Sequence, residues 1–86
     1  MIIVGFTPEF FRRLKKLNQQ LQEVAFERIE LFKERSNHSR IKVHKLHGKY
    51  AGFFGFSIDA KHRVMFEWIS STEARLHTIG DHSIYD

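Results

Sequence analysis

A chain of 86 residues has room for one domain with a thin core, so residues 1–86 are expected to fold as a single unit. Hydrophobic residues at 42% with nine Phe exclude a disordered chain, and no apolar run approaches the ~20 residues of a membrane-spanning helix, so no membrane partner is expected. A net charge of +4 favours polyanionic partners. The lack of cysteine excludes a disulfide scaffold, thiolate catalysis and Cys-type zinc sites, which makes a reducing cytoplasm the expected location.

The opening Ile2-Ile3-Val4-Gly5-Phe6 is β-branched and apolar and lacks the features of a signal peptide, so it predicts a first strand. Thr7-Pro8-Glu9 then reads as a helix start, with Thr7 as N-cap, Pro8 in the first helical position and a carboxylate in the first turn. Phe10, Leu14, Leu17 and Leu21 recur at helical spacing, and Arg12, Arg13, Lys15 and Lys16 occupy other faces of the same turns. Asn18-Gln19-Gln20 marks a short break, after which Val24, Ala25, Ile29 and Phe32 continue an apolar stripe as far as Ser36-Asn37-His38-Ser39. A helical hairpin is the expectation, with one bent helix as the alternative.

After Arg40 the apolar period switches to two, the period of strands. Ile41 and Val43 are expected on one face and Lys42 and His44 on the other, with Leu46-His47-Gly48-Lys49 as a turn. Phe54, Phe56 and Ile58 alternate with Gly55 and Ser57. Asp59-Ala60-Lys61 makes a hairpin loop, and Val64, Phe66 and Trp68 alternate with Arg63, Met65 and Glu67. A last strand spans Arg75 to Ile79. The fold class is therefore α+β: an N-terminal strand, a helical hairpin, then three antiparallel strands and a tail, with helices on one face of the sheet. The open face is expected to carry Gly55, Ser57, Arg63, Lys42 and His44.

Charge is unevenly spread. Between Asn37 and Ser57 there is no Asp or Glu, while Arg40, Lys42, Lys45, Lys49, His38, His44 and His47 all fall there. Arg40, Lys42, Lys45, His47 and Lys49 are the candidate contacts for RNA phosphates, against the alternative of a solvated edge. Six histidines invite a metal hypothesis, but His44 and His47 are three apart on or near a strand, with no carboxylate at ligand spacing; neither metal nor cofactor is expected. Metal-free RNA cleavage needs a base for the 2′-OH, cations for the phosphorane and a donor for the leaving 5′-oxygen. Arg63 suits the second role because its planar fork can hold two phosphate oxygens; the competing reading is an ion pair with Glu67 or Asp59. His82 and Tyr85 follow the last strand, where folding back would bring them beside Arg63.

The runs His44-Lys45-Leu46-His47-Gly48, His62-Arg63-Val64-Met65-Phe66 and Ile79-Gly80-Asp81-His82-Ser83-Ile84-Tyr85 resemble the RelE/ParE superfamily of toxins from type II toxin–antitoxin pairs, YafQ- and YoeB-like mRNA interferases above all. The resemblance implies a ribosome-dependent, metal-independent endoribonuclease that cuts mRNA in the A site. It also implies inhibition by a cognate antitoxin within a toxin–antitoxin hetero-oligomer. Carried over by position, Arg63 matches the family's strand arginine, His82 its C-terminal histidine, Tyr85 its terminal aromatic and His44 the histidine before the turn. These four are the candidate catalytic residues. The sequence departs from the family at Phe54, Gly55 and Ser57, where basic residues or histidines are expected, and near Arg40, where a carboxylate is; His44 or His47 would then serve as base. The rival implication is a ParE-like inhibitor of DNA gyrase without RNA cleavage, or a degenerate member that only binds its antitoxin.

Overall fold

The computed structural model describes residues 1–85, with the side chains of His82 and Tyr85 outside the description. Strand β1 (Ile3–Phe6) leads into helices α1 (Pro8–Leu14) and α2 (Gln19–Phe32). The strands β2 (His44–Lys45), β3 (Phe54–Ser57), β4 (Arg63–Ser70) and β5 (Glu73–Gly80) follow, and a short 3₁₀ turn spans His82–Tyr85. The sheet order is β1-β5-β4-β3-β2, antiparallel except that β1 runs parallel to β5.

The first cap acts as the sequence suggests, and the structure adds a second at Asn18. Thr7 Oγ1 accepts from the Phe10 N–H at 3.1 Å and donates to the His77 carbonyl at 2.7 Å, so one hydroxyl starts α1 and fastens it to β5. Asn18 Oδ1 accepts from the Leu21 N–H at 2.8 Å and starts α2, which resolves the hairpin alternative in favour of two helices. Phe10, Leu14, Ala25, Ile29 and Phe32 turn inward onto Phe56, Val64, Phe66, Leu76 and Ile79. Phe32 sits at the centre: its ring stacks on His38 and Phe56, both at 4.9 Å, and meets Phe66 edge-on at 4.8 Å. Aromatic pairs of this geometry add ~0.5–1.5 kcal/mol beyond area burial.

Two expectations about strands need correction. The chain after the helices forms four strands, and the first is only His44–Lys45. Lys42 has φ +60°, a left-handed conformation that ends the alternation anticipated from Ile41 onward. Ile41 therefore reaches the core from a turn; its carbonyl accepts from the Ser57 N–H at 2.8 Å and extends the edge of β3. In β5 the pairing shifts between Met65 and Phe66: Met65 is opposite Thr78 and Phe66 opposite Leu76, so His77 is the extra residue of a bulge. Leu76 and Ile79 consequently both face the helices although they are three positions apart.

Candidate functional site

The sheet face away from the helices carries Ser57 and Gly55 on β3, Arg63, Met65 and Glu67 on β4, and His44 opposite Gly55. At one end of this face, α2, the turn before β2 and the β3–β4 hairpin enclose a recess of about 410 Å3. Arg28, Arg40, Lys42 and Arg63 line it, with Asp59 as the carboxylate among them. Among the described residues none of these four cations has an ion-pair partner.

Each side chain is placed by the backbone beneath it. Arg28 Nε donates to the Ile58 carbonyl at 3.3 Å, which ties α2 to the end of β3. Arg40 and Lys42 flank the buried Ile41, so the turn that sinks one isoleucine into the core presents two cations outward. The left-handed backbone at Lys42 costs ~1–2 kcal/mol in a residue with a Cβ, a strain of the kind concentrated at functional sites. Arg63 Nη1 donates to the carbonyls of Asp59 at 2.8 Å and His62 at 3.0 Å, and Nη2 to Ala60 at 3.4 Å. A guanidinium has five N–H donors, so two remain for a ligand. Arg63 thus holds the hairpin loop through backbone carbonyls, and the ion pair with Glu67 or Asp59 is not formed.

Burial alone would raise the Asp59 carboxyl. The Lys61 N–H, the His62 side chain and the His62 N–H outweigh it and hold the group below its ordinary value. These bonds, at 2.7–2.9 Å, commit the Asp59 charge to the loop rather than to the arginines. The cations of the recess are therefore left available to an anionic ligand from outside.

The other candidate residues separate into two groups. His44 adjoins the recess: its Nδ1 lies 2.8 Å from the Lys42 carbonyl. A carbonyl only accepts, so Nδ1 carries the proton, and Nε2 of the neutral ring keeps a lone pair. Lys45, His47 and Lys49 lie elsewhere. Lys45 pairs with Phe54, on the opposite face from His44, and Lys49 Nζ stands 5.3 Å from the centre of the Tyr50 ring. The side chains of His82 and Tyr85 fall outside the described residues. The backbone that carries them leaves β5 at Gly80, directly opposite Arg63. Sequence reasoning missed Arg28, because it arrives from α2, and His77, because the bulge redirects it. The odd spacing of two core residues, Leu76 and Ile79, was the available signal for the bulge.

No protein-family model matches the chain, and no curated protein matches its sequence. Solved structures do. The RelBE2 toxin–antitoxin complex from Mycobacterium tuberculosis matches with a TM-score of 0.74 at 20% identity, over 94% of this chain and 98% of that chain. The YoeB–YefM complex from Staphylococcus aureus gives 0.72 at 17%, over 95% and 98%. YafQ from E. coli gives 0.71 at 9%, over 99% and 98%. The chain has the fold of these structures over nearly its whole length.

Proposed function

We propose that this chain is the toxin of a type II toxin–antitoxin pair, with a cognate antitoxin as protein partner, and that it cuts mRNA on the ribosome without a metal. The observation that carries the reading is the recess in which Arg28, Arg40, Lys42 and Arg63 converge without an ion-pair partner among the described residues. A phosphodiester supplies the missing charge, and Arg63 has two donors left with which to hold its oxygens.

The chemistry follows from the same groups. His44 Nε2 takes the proton of the 2′-OH as that oxygen bonds to phosphorus. Arg40, Lys42 and Arg63 stabilise the dianionic phosphorane, and Arg28 closes the recess from the helix side. The bond from phosphorus to the 5′-oxygen then breaks, and that oxygen receives a proton from His82 or Tyr85. The products are a 2′,3′-cyclic phosphate and a free 5′-hydroxyl.

The test adds purified protein to a translating extract and maps mRNA 5′ ends, beside Arg40→Ala, His44→Ala and a ribosome-free control. The expected result is cuts that require ribosomes and fall by at least tenfold in both variants. Intact mRNA would overturn the nuclease reading and turn attention to DNA supercoiling by gyrase. The gyrase alternative draws its support from Phe54, Gly55 and Ser57, which leave β3 without a base or acid.

A further inference from the structure

The same sheet face holds a second recess, of about 320 Å3, between Pro8, Tyr50, Phe53, Met65 and His77. Its chemistry differs from the first. Phe53 and His77 meet edge-on at 5.1 Å with their planes 89° apart, which makes an L-shaped aromatic corner beside the Met65 thioether. The His77 ring is fixed from behind: its Nε2 lies 2.7 Å from Glu67 Oε1, and Arg75 approaches the same oxygen at 3.7 Å. An ionised carboxylate only accepts, so His77 Nε2 carries the proton; Nδ1 of the neutral ring is an acceptor, with no partner among the described residues.

We infer that this corner takes a single nucleobase of the RNA strand whose phosphate occupies the cationic recess, an inference that rests on the RNA reading above. A flat ring stacks on one wall and meets the other edge-on, and every base carries an N–H that can donate to His77 Nδ1. Position supports the pairing of the two recesses. Arg63, Met65 and Glu67 alternate along one face of one strand, so the corner begins ~7 Å from Arg63 and ends ~13 Å away. A neighbouring nucleotide of a single strand spans such a distance. The bulge at His77 is the device that makes the corner: had the register of Met65 and Thr78 continued, His77 would stand opposite Phe66 and face the helices.

The experiment titrates the protein with a short single-stranded RNA carrying 2′-O-methyl groups that block cleavage, and with a series in which each base in turn is replaced by an abasic sugar. Base stacking is worth ~1–3 kcal/mol, so removal of the base that enters the corner is expected to weaken binding ~5–150-fold while other positions change little. Phe53→Leu and His77→Gln keep apolar volume and a hydrogen-bonding group respectively, and each is expected to abolish that position dependence. Abasic RNAs that all bind like the parent would overturn the corner alone and would fit an apolar side chain of a protein partner as its occupant. Position dependence that survives in both variants would also overturn it. Absence of any RNA binding by the wild-type protein would instead overturn the parent reading, and this inference with it.

Discussion

The two faces of the sheet solve opposite problems. On the helix side Phe32, Phe56 and Phe66 lie fully buried against one another, and the buried Phe10 meets Phe6 and Phe11. On the other side the chain gathers Arg28, Arg40, Lys42 and Arg63, none of which has an ion-pair partner among the described residues, while backbone carbonyls hold Arg63 in place. Stability is therefore expected to be concentrated on one face and binding on the other, with Arg63, which also holds the hairpin loop, as the exception.

The sharpest test of that division is Phe32→Ala. Truncating a fully buried Phe costs ~3–5 kcal/mol, a large share of the ~5–15 kcal/mol that stabilises an ordinary domain. Denaturant unfolding should show that loss, and the fraction still folded should bind RNA as the wild type does. A weakened affinity in the folded fraction would mean that the core also shapes the recess.

Arg63 and Arg40 form the next comparison, because they share a recess but not a structural duty. Arg63→Ala removes three hydrogen bonds to the hairpin loop and should cost ~1–3 kcal/mol of stability together with RNA affinity. Arg40→Ala, on an exposed turn, should change stability by less than ~0.5 kcal/mol. It should still lower the slope of log affinity against log salt by ~0.7 for each phosphate that the arginine neutralises in the wild type. Equal stability losses in the two variants would show that the turn before β2 is as structural as the hairpin.

The smallest effect concerns acid. Because folding lowers the Asp59 pKa, its contribution is present above the ordinary aspartate value of 3.8 and is lost as pH falls below that value through the folded one. Amide exchange at Lys61 and His62, whose N–H groups Asp59 accepts, should accelerate over that range while the strands stay protected. In Asp59→Asn the acid-dependent step should disappear. Its persistence would place the titrating group elsewhere.

Much of this organisation was legible in the residues. Thr7 and Pro8 announced the first helix start because capping is local, Asn18 was legible only as part of a break, and the apolar stripes of the helices needed only their own period. The strands were legible where alternation was regular, as from Val64 to Trp68. They failed where one residue left the extended region, at Lys42, or where an extra one entered, at His77. The site divides in the same way. Arg40, Lys42 and Arg63 could be grouped from a run without acidic residues and from strand parity. Arg28 could not, because it meets Ile58 across 30 positions of sequence, and Lys45 parted from His44 as soon as β2 paired with β3.

The position of β1 carries a consequence for how the molecule comes into being. Among the described residues its four residues pair only with β5, Ile3 with Glu73 and Phe6 with Leu76, so β1 must wait for β5. Loops of this length close slowly, and parallel pairing is reached late. During synthesis the helices and the β3–β4 hairpin can assemble while β1 still hangs free. A nascent chain is therefore incomplete in its sheet until Gly80, the end of β5, has left the ribosome.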